Sequence, residues 1–168
     1  MDNEIQKLIT KLELIPHPEG GYFKEIYRSD DFIKKNFLQE RYSQKRVFST
    51  SIYYLLSGNQ VSHFHRLKSD ETWHFYSGSP LIIHCLNENS TYSQIKIGLD
   101  FSQNIFPQFT IKRSTWFAAE VADKNSFSLI GCTVAPGFEY DDFELAQRNK
   151  LSKLFPQFIE IVNRLTKD

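Results

Sequence analysis

The residues with the most chemistry in them lie between Gly58 and Gly78, in GNQVSHFHRLKSDETWHFYSG. His63-x-His65 sits on a β-prone run, and Glu71 follows after a five-residue turn. Side chains alternate along a strand, so an unbroken strand turns His63 and His65, with Val61, to one side and Ser62 and Phe64 to the other. Past the turn, Glu71, Trp73 and Phe75 share one face, and Thr72, His74 and Tyr76 the opposite one. If the two strands pair as a hairpin, two imidazoles and a carboxylate converge, with positions left open. That donor set suits iron(II) and related divalent metals such as Mn, Ni or Zn. Without a metal, His65 can serve as a general base, with Glu71 orienting it or acting as the acid. Parity directs His74 outward. Trp73 either stacks on a ligand ring or fills the interior.

Other candidates lie further along the chain. Arg28 and Arg113 have the planar, forked geometry that grips carboxylate or phosphate. APGFEYDDF places Glu139 among rings, where a carboxyl can titrate near neutrality, and Asp141 and Asp142 at an expected helix start. Arg66, facing away from the His65 side, is expected to pair with Asp70. His84 shares parity with Ile82 and Leu86 and reads as a satisfied core or interface histidine. His17 precedes Pro18-Glu19-Gly20-Gly21, where the two glycines first suggest a backbone requirement.

The elements that position these residues are mostly strands. Ile5, Leu8, Ile9 and Leu12 recur at helical spacing after Asn3, and Pro16 and Pro18 end that helix. Tyr22 to Tyr27 is β-prone. Residues 30–46 are polar and charged and read as a mobile loop or flap. From Val47 to Ile130, short β-prone runs alternate with turn clusters, the rhythm of an antiparallel sandwich or barrel. The pattern then becomes helical, with a helix expected over Glu144 to Leu154 and another starting at Pro156. There is no repeat or linker, so 168 residues read as a single domain, with a barrel core over roughly 20–140.

Composition narrows the partners. Twenty basic and twenty acidic residues give zero formal charge, which argues against a dedicated nucleic-acid or anionic-membrane binder. Fifteen Phe and eight Tyr favour sheet and a ring-rich interior. Cys85 and Cys132, with no secretory signal before them, read as reduced thiols of a cytoplasmic protein.

Gly58, His63-x-His65, Glu71 and Gly78 resemble the first motif of the cupin superfamily, G-x5-H-x-H-x3-4-E-x6-G, with the Gly-to-His and His-to-Glu gaps each one residue off. HPEGGYFKEIYRS, STSIYYLLSG, HRLKSDETWHFYSG, TWFAAE, GCTVAPGFEYDDFELA and LFPQF together resemble the cupin_5 family (DUF985). The resemblance implies a mainly β double-stranded β-helix, or jelly-roll barrel, with N- and C-terminal helices. Its fold is related to that of the sugar-nucleotide epimerase of dTDP-rhamnose synthesis. It also implies a homodimer formed through sheet edges. The second cupin motif normally supplies another His; the matching IKRSTWFAAE places Trp116 or Phe117 there, and neither binds metal.

Four functional readings follow. The leading one is a barrel that binds a small polar or ringed metabolite. The alternatives are a divalent-metal enzyme (oxygenase, isomerase or lyase) using His63, His65 and Glu71, a metal-free epimerase or isomerase, and a non-catalytic regulatory dimer.

Overall fold

The computed structural model describes residues 2–87 and 89–167. Helix α1 (Asp2–Lys11) is followed by strands β1 (Ile15–Pro16), β2 (Tyr22–Arg28), β3 (Phe32–Ile33), β4 (Arg46–Val47), β5 (Thr50–Ser57), β6 (Val61–Leu67) and β7 (Asp70–Gly78). Strands β8 (Leu81–Leu86), β9 (Tyr92–Ile97), β10 (Gln108–Ile111), β11 (Trp116–Val121), β12 (Phe127–Ala135) and β13 (Phe143–Leu145) complete the sheets, and α2 (Arg148–Leu154) and α3 (Ile159–Leu165) end the chain. The helix expected from Glu144 starts only at Arg148, because Phe143–Leu145 pairs with β6 as an edge strand. None of these helices is long and apolar enough to cross a membrane.

Two antiparallel sheets face each other. One runs β1-β2-β5-β12-β7-β10 and the other β13-β6-β11-β8-β9. Consecutive strands β6 and β7 therefore belong to opposite sheets; they do not form the hairpin expected from their spacing. A short turn at Lys68-Ser69 carries the chain from one wall to the other.

The hydrophobic pattern explains the layers. Between the sheets pack Leu56, Trp73, Phe75, Leu81, Ile83, Phe117 and Ile130, all buried. The outer face of the five-stranded sheet carries Phe64, Leu86 and Trp116, which α2 and α3 cover with Leu151, Val162 and Leu165. Helix α1, with Leu12 just past its end, lays Ile5, Leu8, Ile9 and Leu12 over Leu55 and Phe127 on the outside of the other sheet. These are the positions that the helical spacing assigned to one face. Each large side chain that is fully buried in these layers contributes about 1.5–3 kcal/mol of transfer free energy, and the half-buried residues of α1 less.

The segment from 30 to 46 is not a mobile flap. It contains the two-stranded β3–β4 ladder and buries Tyr42 and Arg46 almost completely. Arg46 donates Nε–H and an Nη2–H to the two oxygens of Asp142 at 2.6 and 2.7 Å, and Nη1 donates to the Gln44 and Lys45 carbonyls. Asp142 is thus a buried ion-pair partner rather than an ordinary helix-start acid. This fork ties the 30–46 segment to the short 3-10 turn Tyr140–Asp142 beside the barrel mouth. Lysine cannot reproduce the fork, so Arg46→Lys is expected to lower stability by about 1–2 kcal/mol in urea denaturation.

Candidate functional site

A bulge in β6 determines what faces the interior. His65 pairs with Phe117 of β11, but Ala119, two residues on, pairs with Ser62, three residues back. One extra residue is absorbed between them, and the side-chain alternation resets. Ser62 and His65 both face the lumen, whereas Phe64 packs outward beneath the C-terminal helices. His63 does not share the His65 face, contrary to the parity of an unbroken strand. Its imidazole lies near the Leu165 backbone, Arg148 and Lys167, and burial lowers its basicity.

The partner of His65 is Glu19, from the turn between β1 and β2. His65 Nδ1 lies 2.7 Å from the His63 carbonyl oxygen, so it must carry a proton. Nε2 lies 3.0 Å from Glu19 Oε2. A neutral ring would then point a lone pair at a carboxylate, so the doubly protonated imidazolium is the favoured form. Burial opposes that charge, but Glu19 outweighs it and raises the His65 pKa. Burial likewise pushes Glu19 up, yet His65, His17 and the Ser62 hydroxyl hold it down at about 2. Ser62 donates to Glu19 Oε1 at 2.9 Å. The ring of His65 is sandwiched by Phe117 and Phe143, with centroids 4.0 and 5.4 Å away.

His17 completes this wall. The Glu19 backbone N–H donates to its Nδ1 at 3.3 Å, leaving Nε2 as the protonated nitrogen of the neutral ring. Burial lowers its pKa, with Glu19 and His65 pulling in opposite directions.

The turn that delivers Glu19 depends on Gly20. It has φ of +110°, and a Cβ there would stand 2.2 Å from the Val61 carbonyl oxygen. Gly20→Ala is expected to cost about 2 kcal/mol and to displace Glu19. Thermal unfolding and the His65 ring ¹⁵N shifts would read the two effects.

Glu71 faces this ion pair from the opposite sheet. It is 7% exposed, and its Oε2 is buried with no hydrogen-bond partner among the described residues. Burial raises its pKa, Glu19 adds to the rise, and the His65 charge and the Trp73 indole only partly offset it, leaving the carboxyl at about 7. Trp73 and Phe75 share its face as the parity of β7 requires. Trp73 is packed into the core against Tyr54 and Phe117. His74 points outward, toward Gln108 and Thr133.

His65, Glu19 and Glu71 form the floor of a cavity of about 100 Å³, with Phe23, Phe138 and Phe143 on its walls. Arg28 and Glu139 stand at its mouth. A second bulge, at Ile26 in β2, puts Glu25 and Arg28 on the same side. Arg28 donates to both oxygens of Glu25 at 3.0 and 2.9 Å, to Glu139 at 2.8 Å and to the Phe138 carbonyl. Four of its five N–H donors are thus engaged within the protein.

Arg113 is not part of this site. It lies in a separate surface groove near Lys112 and Ser114, and its backbone N–H donates to Asp70. Arg66 pairs with Glu144, not Asp70, and lies over the Trp116 ring. His84 is satisfied on the outer face by Tyr92 and Glu120.

The family model described as Cupin superfamily (DUF985) matches residues 6–146. The chain belongs to the Cupin_5 family. A hypothetical protein from Leishmania major is 31% identical to this Cupin_5 chain, with a TM-score of 0.88 over 97% of this chain and 98% of that one. A Shewanella oneidensis protein of known structure is 35% identical, with a TM-score of 0.87 over 96% of both chains. An uncharacterized protein of Saccharomyces cerevisiae is 27% identical over 149 residues, covering 83% of this chain and 74% of its own length.

Many cupin barrels hold a metal through their histidines, but the residues of this Cupin_5 protein do not fit one. His63 lies off the luminal face, both nitrogens of His65 are engaged, and Trp116 and Phe117 occupy the second-motif position. Among the described residues, no group of three His, Cys, Asp or Glu side chains is arranged to hold a metal ion. Strand parity missed the bulge that separates the two histidines. It also missed Glu19, whose only sequence signal was its place between His17 and the glycine pair.

Proposed function

We propose that this Cupin_5 protein binds a small polar metabolite in the barrel and exchanges a proton with it through Glu71, without a metal. The observation that carries this reading is the luminal Glu71 Oε2, buried, unpartnered and attached to a carboxyl that titrates at about 7. A general acid–base group works best with a pKa near the operating pH. His65 is less suited to the transfer, because its nitrogens are held by Glu19 and the His63 carbonyl. Its part is to hold Glu19 in a matched ion pair opposite Glu71. Proton transfer at a single acidic carbon or ring nitrogen, as in an isomerase or epimerase, suits this arrangement.

A thermal-shift screen over sugar nucleotides, nucleobases, organic acids and amines tests the binding step. Each compound that raises the melting temperature is then incubated with the protein in D₂O. Enzyme-dependent deuterium incorporation, lost in Glu71→Gln, is the expected result. If no class stabilises the protein, or exchange survives the substitution, the reading fails.

A further inference from the structure

The charges around the cavity indicate what kind of molecule it takes. This inference rests on the reading of the cavity as a small-molecule site. Four carboxyl groups face the cavity, the carboxylates of Glu19, Glu25 and Glu139 and the half-ionised Glu71, against two cations, Arg28 and His65. The cations are already matched: His65 by Glu19, and Arg28 by Glu25 and Glu139 together. Among the described residues, no lysine lines the space. Among the described residues, an entering carboxylate or phosphate would find one remaining Nη1–H of Arg28, on a guanidinium already matched by two carboxylates, and would lie against an excess of negative charge. The expectation that Arg28 grips an anion is therefore not supported by its hydrogen bonds.

A positively charged ligand meets the opposite situation. Glu71 is more than nine-tenths buried and lines the cavity, and its Oε2 makes no hydrogen bond among the described residues, with the Trp73 indole beside the carboxyl. The walls above it are the rings of Phe23, Phe138, Tyr140 and Phe143. Aromatic faces attract cations, and more strongly when the contact is desolvated. An ammonium N–H given to a carboxylate is among the stronger hydrogen bonds.

We infer that the barrel selects a small protonated amine, its ammonium on Glu71 and its carbon skeleton against the phenylalanine walls.

Matched probes test this by calorimetric titration: benzylamine, benzyl alcohol and benzoate, and the smaller set n-butylamine, n-butanol and butyrate. The amine is expected to bind most tightly in at least one set, and the carboxylate not to bind. Glu71→Gln should weaken the amine by about tenfold, the loss of one charged hydrogen bond. Its melting temperature shows whether the variant is folded. Glu139→Gln, at the exposed mouth, provides a second variant with the floor untouched and should weaken the amine about two- to threefold. Carboxylate or alcohol binding equal to or tighter than amine binding overturns the inference while leaving a small-molecule site in place. Amine binding indifferent to Glu71→Gln also overturns it, as does silence of both amines. The deuterium-exchange experiment judges the proton-transfer reading separately.

Discussion

Glu71→Gln is expected to make the protein more stable at pH 8 by about 3 kcal/mol, and almost unchanged at pH 4.5 and below. The folded carboxyl stays protonated up to about 7, whereas its ordinary value is 4.5. Between those values the native state binds a proton that the unfolded chain has released. Stability therefore falls as pH rises through that window, and the full cost is present above it. Glutamine has the shape of the neutral acid and does not ionise, so it removes the slope. Urea denaturation at pH 4.5, 6 and 8 measures it. An equal midpoint difference at all three would mean that Glu71 ionises as an exposed glutamate does. The same substitution is expected to weaken ligand binding, the usual opposition between a functional site and stability.

Glu19→Gln should act in the other direction and cost about 3–5 kcal/mol at pH 7, the expected penalty for removing one partner of a buried pair. The remaining imidazolium would be 2% exposed and without its counter-charge. It would have to lose a proton or admit water. The double variant Glu19→Gln/His65→Gln is expected to recover part of the loss, because no orphaned charge remains. A cycle built from the two single variants and the double isolates the coupling. The pair also sets a pH window. The contribution of Glu19 is present above 4.5 and disappears as pH falls toward 2, while that of His65 is present below 6.5 and disappears above its raised pKa. Ring ¹⁵N spectra should show both His65 nitrogens protonated at neutral pH in the parent and not in Glu19→Gln.

Much of this fold is legible in the residues, for physical reasons. The strand runs from Val47 to Ile130 are short, aromatic and bounded by turn clusters, and a barrel is what buries such runs. Ile5, Leu8, Ile9 and Leu12 must cover something apolar, and they cover Leu55 and Phe127. Along β7 the alternation is unbroken from Glu71 to Phe75, so Glu71 and Trp73 are inward and His74 outward as expected. The readings fail where pairing, not periodicity, decides. Nothing local in VSHFHRL marks a bulge, because the bulge arises from the register against Phe117 and Ala119 of β11. Glu19 and Asp142 look like surface acids until distant chain segments bring His65 and Arg46 onto them. Residues 30–46 carry the composition of a loop, and only the burial of Tyr42 and Arg46 shows that they are anchored.

The bulge in β6 also bears on how such a barrel changes during divergence. Without the extra residue, the pairing that seats His65 would turn Val61 and His63 inward and expel Ser62. That arrangement has two imidazoles side by side and no hydroxyl for Glu19. With the extra residue, one histidine is traded for a serine and the remaining one becomes half of an ion pair. A single insertion or deletion between positions 61 and 65 thus moves the lumen between two chemistries while the hydrophobic layers on either side stay as they are. Sequences that keep both histidines need not keep the same chemistry.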